Sequence, residues 1–201
     1  MRDVSTLKAK ARRDSAMKIL VACETSGRVR DAFIKKGHEA VSLDILPTDS
    51  KSQGKHITDR VEEYLTKEWD MIIAFPPCTW LCIASAWRWN LETSQENMTE
   101  AFSLVKKIWA APCEKICIEN PVGWLNNNWQ QPQQILSPHY FGSRFQKRTC
   151  LWLKGLPPLI YGCQTLNPRP LVGQFGSKHN KSKLHSKICI ELAEAMAQQW
   201  S

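Results

Sequence analysis

Short apolar segments alternate with helical patterns along the chain, and this alternation limits the possible folds more than any other feature. The apolar segments span residues 18–23, 39–43, 71–75, 115–118 and 149–153. The helical patterns span residues 29–36, 60–67, 93–111 and 188–200. Strands that alternate with helices predict an α/β domain with a mostly parallel sheet and helices on both faces.

Chemically reactive side chains follow the ends of the first four predicted strands. These residues are Glu24, Asp44, Cys78 and Glu119. In open α/β sheets, ligands bind outside the carboxyl ends of the strands. The sequence therefore predicts that the four side chains share one ligand site.

Two of these positions carry the candidate chemistry. Cys78 follows Pro76-Pro77, which fixes the backbone and leads the chain out of the sheet, so its thiol is either a nucleophile or a buried structural cysteine. Glu119 ends a strand and precedes Asn120-Pro121. Its carboxyl caps a helix, pairs with a lysine, or donates a proton if burial raises its pKa.

Taken together, these segments resemble the cytosine carbon-5 methyltransferases. That family carries Pro-Cys after one strand and Glu-Asn after the next, and this chain has Pro77-Cys78 in PPCTWLCIAS and Glu119-Asn120 in IENPVGWL. The closest resemblance is to short single-domain members from phages and prophages. It implies a Rossmann-like class I fold, S-adenosylmethionine as cofactor, and methyl transfer to cytosine carbon 5 in DNA. Cys78 is then the covalent nucleophile and Glu119 the proton donor to ring N3.

The same resemblance implies roles for further residues. Asp44 holds the ribose hydroxyls of the cofactor and Asp59 its adenine amino group, and the remaining implied cofactor contacts are Cys23, Glu24, Ser26, Gly27 and Pro76. Arg148 binds the target base or orients Glu119. The implied substrate contacts are Pro77, Asn120 and Gln146, with Trp80 and Arg88 available for base stacking and phosphate contact.

Several departures from the family pattern leave alternatives open. The first loop, ETSG, keeps a single glycine, and Cys150 stands where the family has a second arginine. Only some 35 residues separate Leu153 from Ile188, which is too few for a large target-recognition domain. The alternatives are the same chemistry on RNA or a free pyrimidine nucleotide, a non-catalytic nucleic-acid-binding protein on the same fold, and an amino-methyltransferase.

Charge and composition bear on the partner and the compartment. The net charge is +8, which favours nucleic acid, with DNA expected. The sequence predicts a basic arm at 1–17 and a single domain at 18–201, with a loop-rich insertion at about 154–187. The arm and the insertion contain the candidate phosphate contacts: Lys8, Lys10, Arg12, Arg13, Arg169, Lys178, Lys181, Lys183 and Lys187.

The chain lacks an apolar run of the roughly 20 residues that a membrane helix needs and a signal-peptide pattern. We therefore expect no membrane partner and a location in the cytoplasm of a bacterial or phage-infected cell. The eight cysteines are then reduced. The pairs Cys78/Cys82 and Cys113/Cys117 are spaced more widely than the usual structural zinc ligands, so no metal is expected.

Overall fold

The computed structural model describes residues 16–162, 164–170 and 187–201. Its strands are β1 (Lys18–Ala22), β2 (Glu39–Asp44), β3 (His56–Thr58), β4 (Met71–Ala74), β5 (Ile116–Pro121), β6 (Gln134–Leu136), β7 (Phe145–Gln146), β8 (Thr149–Lys154) and β9 (Arg169–Pro170). Its α-helices are α1 (Arg28–Lys35), α2 (Glu92–Trp109), α3 (Trp124–Asn128) and α4 (Ile190–Gln199). Short 3₁₀ helices span Val61–Tyr64, Ile83–Arg88 and Pro138–Phe141.

Seven strands form one mixed sheet in the order β3-β2-β1-β4-β5-β8-β6. The first five strands pair in parallel, and their order matches that of doubly wound nucleotide-binding sheets. β8 runs antiparallel to both β5 and β6. The predicted α/β fold with a mostly parallel sheet is confirmed, and it is compatible with a Rossmann-like fold.

Both faces of the sheet are buried at its centre, which explains why β1, β4 and the first half of β5 are apolar at successive positions. Ile19 of β1 lies in the same core as Phe33 of α1 and Met196 of α4. Its neighbour Leu20 points to the opposite core, with Val105 of α2. Successive strand residues face opposite sides, so the predicted helices on both faces are also confirmed.

The longest helix, α2, follows from a helical spacing of apolar residues. Met98, Ala101, Val105 and Ile108 are buried, at intervals of three and four that place them on one face. Glu92 lies in the first turn, where a negative charge is favourable. The helix covers the sheet beside β5.

The structure contains elements that the sequence did not predict, namely β3, β6, β7, β9, α3 and the 3₁₀ helices Ile83–Arg88 and Pro138–Phe141. Among the predicted elements, one helix and one strand differ clearly. The helix predicted at 60–67 is only the 3₁₀ turn Val61–Tyr64. The strand predicted at 115–118 continues to Pro121, because β8 pairs with β5 along its full length, from Ile116 opposite Lys154 to Pro121 opposite Thr149. Glu119 therefore lies within β5 and not after it.

The phosphate contacts expected at Lys8, Lys10, Arg12 and Arg13, and at Lys178, Lys181 and Lys183, lie outside the described residues. Residues 155–162 and 164–168 contain neither helix nor strand. Over the described ranges, no helix has both the length and the apolar character to span a membrane.

Candidate functional site

A cavity of about 360 Å³ opens at the carboxyl ends of the parallel strands, and we call it the strand-end cavity. The loop after β1, the end of β2, the loop after β4, and β5 all line it. The predicted site residues that it brings together are Cys23, Glu24, Ser26, Asp44, Pro76, Pro77, Cys78 and Glu119. The sheet thus gathers the four strand-end side chains into one site, as their positions in the sequence predict.

The loop after β1 is shaped by a side chain that caps a helix. The buried carboxylate of Glu24 accepts hydrogen bonds from Ser26 Oγ at 3.0 Å and from the backbone nitrogens of Val29 at 2.9 Å and Arg30 at 3.4 Å. It therefore satisfies backbone N–H groups that the start of α1 leaves without a partner. Burial raises the pKa of Glu24.

Gly27 supports this loop but does not line the strand-end cavity. Its φ is 67°, and a Cβ there would lie 2.3 Å from Arg30 Nη2. Glycine is therefore required for both backbone and space. The Glu24 carboxylate, and not a glycine-rich turn, organises the start of α1.

Arg30 is a structural residue that sequence reasoning missed, because it looks like an ordinary surface residue of α1. Its side chain is fully buried. The guanidinium donates to Asp31 at 2.8 Å, to Ser42 Oγ at 2.9 Å and to Ser52 Oγ at 2.5 Å. It therefore holds the segment after β2 against α1, next to the strand-end cavity.

The two aspartates expected to contact the cofactor are placed differently. Asp44 lines the strand-end cavity, where its Oδ1 accepts the backbone N–H of Leu46 at 2.9 Å. Asp59 does not line it, and instead accepts hydrogen bonds from Tyr64 Oη at 3.1 Å and from the Arg60 backbone at 2.7 Å. Glu62, which sequence reasoning missed, lines the cavity on this side.

The Cys78 thiol and the Glu119 carboxyl lie on two segments that are hydrogen-bonded to each other. We call residues 75–82 the thiol loop. The buried amide of Asn120 in β5 donates from Nδ2 to the Pro76 carbonyl at 2.9 Å. The neighbouring Glu119 accepts a short hydrogen bond from Thr149 Oγ1 of β8, which orients the carboxyl. Asn120 does not line the strand-end cavity, so it positions the thiol loop from behind.

The far end of the thiol loop rests on the turn after β5. Trp124 donates its backbone N–H to the Leu81 carbonyl at 2.7 Å, and Cys82 forms an isolated antiparallel bridge with Gly123. A Cβ at Gly123 would lie only 2.1 Å from the Leu81 carbonyl oxygen. This contact explains the glycine, since no side chain fits between the two segments.

Cys78 also faces a second cavity, of about 1010 Å³, which we call the thiol cavity. Gln146, Lys147 and Arg148 line it together with Cys82, so the predicted substrate contact Gln146 and the predicted catalytic residue Arg148 share this cavity with Cys78. Glu119 lines the strand-end cavity and a third, basic cavity of about 330 Å³. The basic cavity is also lined by Arg28, Arg144, Lys147 and Lys187.

The predicted stacking residues form a cluster beside the site. The Arg88 guanidinium carbon lies 5.3 Å from the Trp80 ring centre and 4.6 Å from that of Trp87. Trp87 is 67% exposed, whereas Trp80 lines a neighbouring groove with Pro77. Trp80 belongs to the thiol loop, but Trp80, Trp87 and Arg88 do not line either cavity that contains Cys78.

The cysteines differ strongly in acidity. Burial, reinforced by the carboxylates of Asp44 and Glu62, raises the pKa of Cys23 to about 12. A hydrogen bond with Cys82 and burial raise the pKa of Cys78, against the opposing charge of Lys147. The hydrogen bond from Cys78 lowers the pKa of Cys82 to about 5.

Over the described residues, no cluster of three or more His, Cys, Asp or Glu side chains is arranged to hold a metal ion. Cys113 instead donates to the carbonyls of Trp69 and Lys115, both at 3.3 Å.

Comparison with known proteins gives no match, either to a protein-family model or to a curated protein. The functional assignment therefore depends on the motifs of the chain and on the geometry of the site.

Proposed function

We propose that this protein is an S-adenosylmethionine-dependent methyltransferase that acts on carbon 5 of cytosine in DNA. The observation that carries the proposal is that the Cys78 thiol and the Glu119 carboxyl line one cavity at the carboxyl ends of parallel strands. A thiol nucleophile and a carboxyl proton donor are the two groups that this reaction requires. A cavity at this edge of the sheet is where such folds bind nucleotides.

The strand-end cavity suits the proposed cofactor, whose charged groups are a sulfonium, an ammonium and a carboxylate. Carboxylates of Glu24, Asp44 and Glu62 line it, and so do the amines of Lys147 and Lys187. A carboxylate at the end of β2 can accept two hydrogen bonds from a ribose diol, which assigns that role to Asp44. When bound, S-adenosylmethionine supplies an electrophilic methyl group.

The residues of the chain prepare the target carbon for that methyl group. Carbon 5 of cytosine is a poor nucleophile until a sulfur adds to carbon 6. The Cys78 thiol gives up its proton to solvent and its sulfur forms that bond while Glu119, held by Thr149, donates a proton to ring N3. Electron density then rises at carbon 5, where methylation occurs. Loss of the carbon-5 proton to solvent, departure of Cys78 as a thiolate and return of the N3 proton to Glu119 restore the aromatic ring.

The thiol cavity offers a route for the substrate. Lys147 and Arg148 carry positive charge at its wall, and Ile83 and Ile135 add apolar surface. A base of duplex DNA must leave the helix to reach Cys78, which costs a few kcal/mol. Exposed Trp87 beside Arg88 can offset part of that cost by stacking. Phosphate contacts predict that binding weakens steeply as salt concentration rises.

Trapping with 5-fluorocytosine in DNA tests the proposal. Fluorine at carbon 5 cannot leave as a proton does, so the enzyme should remain covalently attached through Cys78 when cofactor is present. The adduct is measured by denaturing electrophoresis and located by mass spectrometry of tryptic peptides.

Two variants control this test. Cys78→Ala should form no adduct. Cys189→Ser should form it normally, because Cys189 caps α4 by accepting the Leu192 N–H and serine is a preferred cap. Cofactor binding without any adduct would refute carbon-5 chemistry. Methyl transfer that survives Cys78→Ser would instead indicate an amino-methyltransferase.

Parallel reactions define the substrate class. Duplex DNA, single-stranded DNA, RNA and free cytidine nucleotides are compared at equal base concentration. The proposal expects the fastest adduct formation with DNA, and faster reaction with RNA or a nucleotide would reassign the substrate. Failure to bind S-adenosylmethionine at millimolar concentration would favour a non-catalytic nucleic-acid-binding protein.

A further inference from the structure

The basic cavity collects positive side chains from distant parts of the chain. Its four cations come from α1, from both sides of β7 and from the segment before α4: Arg28, Arg144, Lys147 and Lys187. Among the described residues, the carboxylates that line it are Glu119 and Glu191, so positive charge is in excess. Like charges that converge on one cavity repel each other, and an anionic ligand would relieve that repulsion.

Two of these cations also hold the wall of the cavity together. Lys187 Nζ forms an ion pair with Asp49 Oδ2 at 2.5 Å, which neutralises much of its charge. Arg28 donates from Nη1 to the Ile188 carbonyl at 2.6 Å. A guanidinium carries five N–H groups, so this bond orients Arg28 and leaves other donors of the group to face a ligand.

The positive charge continues from the cavity onto the surface. In the pairing of β7 with β9, Phe145 lies opposite Arg169, and the Arg169 N–H donates to the Arg144 carbonyl at 2.9 Å. Both arginines are exposed. Arg169 is a predicted phosphate contact, whereas sequence reasoning missed Arg144 beside it. Neighbouring exposed cations suit a polymer of phosphates better than a single small anion.

Lys147 lies between this cavity and the candidate nucleophile. It lines the basic cavity and also the thiol cavity, which Cys78 faces. Its backbone N–H donates to Ser137 Oγ at 3.1 Å, which fixes the segment between the two cavities. When a nucleotide of a strand reaches Cys78, the adjoining part of that strand therefore passes close to the basic cavity.

We propose that the basic cavity binds a backbone phosphate of the strand that carries the target base, through Arg28, Arg144 and Lys147. This inference rests on the proposed function, which identifies the strand as DNA. The planar guanidinium group suits this role because it can donate to two phosphate oxygens at once. Such a contact carries no sequence information. It fixes the position of the strand, so that the target base lies at the thiol cavity.

The salt dependence of DNA binding tests the site without any methyl transfer. A short fluorescent duplex is titrated by anisotropy, without cofactor, at salt concentrations from about 50 to 200 mM. Each phosphate contact contributes about 0.9 to the slope of log K against log salt concentration, so Arg144→Met should lower the slope by about that amount. The affinity lost in the variant should then be about 3.5 times greater at the low end of this range than at the high end.

Two variants control the loss of charge. Lys106→Met removes an exposed cation from α2, which packs on the opposite face of the sheet from α4, and it should keep the wild-type slope. Arg144→Lys retains the charge and should also keep the slope. Thermal unfolding should be unchanged in all three variants, because both side chains are exposed. A wild-type slope in Arg144→Met, or an equal loss of slope in Lys106→Met, would overturn the proposal.

Neutralising single phosphates of the DNA locates the contact. Duplexes that carry one uncharged methylphosphonate, at successive positions around the target cytosine, are compared in the same assay. Binding to the wild-type protein should weaken about tenfold at one or two positions. Arg144→Met should lose this sensitivity at the same positions, because the interacting partner is already absent. Equal sensitivity of both proteins at every position would overturn the site.

Competition and trapping separate this inference from the proposed function. Displacement of the duplex by cytidine monophosphate, but not by inorganic phosphate at the same concentration, would assign the cavity to a free nucleotide and overturn the contact with a strand. Loss of methylphosphonate sensitivity in Arg144→Met without trapping by 5-fluorocytosine would support the phosphate site and refute the methyltransferase function. Normal trapping with a wild-type salt slope in Arg144→Met would overturn the site and leave the function standing.

Discussion

Adding a methyl group at Gly123 tests how closely the thiol loop depends on the turn after β5. The new Cβ would lie 2.1 Å from the Leu81 carbonyl oxygen and 2.8 Å from Cys82 Cα. An ordinary contact begins at 3.4 Å, so the two backbones must separate by about 1.3 Å. That displacement breaks the hydrogen bond from Trp124 to Leu81 and moves the cysteine pair.

Both stability and reactivity should respond to Gly123→Ala. Overpacking of this kind costs about 1–3 kcal/mol, which for a chain of this size lowers the melting temperature by roughly 2–12 °C. A displacement of about 1 Å at reacting groups slows a reaction by around 10²-fold. The measurements are thermal unfolding and the rate of 5-fluorocytosine adduct formation.

Gly162→Ala is the matched control for this substitution. No atom lies within 4 Å of a Cβ at Gly162, so stability should change by less than about 0.5 kcal/mol. If Gly123→Ala melts and reacts like the wild-type protein, the thiol loop does not depend on the Gly123 contact and this reasoning is wrong.

Three further predictions concern the acid, the buried arginine and alkaline pH. Glu119→Gln should slow adduct formation about 10²–10⁴-fold, because an amide cannot transfer the proton, while cofactor affinity in a titration changes little. Arg30→Met should lower the free energy of unfolding in urea by about 2–4 kcal/mol, since the buried guanidinium pairs with a carboxylate and two hydroxyls. Arg60→Met, which breaks an exposed ion pair, should lower the free energy of unfolding by under about 1 kcal/mol. Equal losses of stability in Arg30→Met and Arg60→Met would contradict the structural role of the buried Arg30. Stability should fall as pH rises from 9 towards 12, because the unfolded chain releases the Cys23 proton near pH 9 whereas the folded chain holds it to about pH 12. In Cys23→Ser this fall in stability should be smaller by up to about 1.4 kcal/mol per pH unit. If urea unfolding shows that the wild-type protein and Cys23→Ser lose the same stability between pH 8 and 11, the effect is excluded.

The parallel part of the fold could be predicted because its strands are buried on both faces. Residues 19–22 and 71–74 are fully buried, so their apolar runs are visible without any pairing information. β3 is three residues long and only partly buried, and it exists because Ser42 pairs with His56. The antiparallel direction of β8 also depends on contacts between distant residues, since an apolar run has the same composition in either direction.

Sequence reasoning located the thiol and the carboxyl of the site because each stands near the carboxyl end of a strand with a proline beside it. It missed Glu62, which reaches the strand-end cavity from a 3₁₀ turn and carries no local signal. It weighed Cys78 and Cys82 only as zinc ligands and rejected them, and so it did not foresee the turn in which the backbone N–H of Cys82 donates to the Cys78 carbonyl. Asp59 satisfies the spacing expected of a cofactor acid, yet Tyr64 and Arg60 engage it away from the cavity.

The two outer strands of the sheet have a consequence for the behaviour of the protein at high concentration. β3 and β6 are each three residues long, so the backbone edge available to another chain is only about 10 Å. Short edges give few hydrogen bonds to a strand that approaches from a neighbouring molecule, and this discourages edge-to-edge association. The small size of the last strand on each side thus protects a strongly apolar sheet from polymerising into fibres.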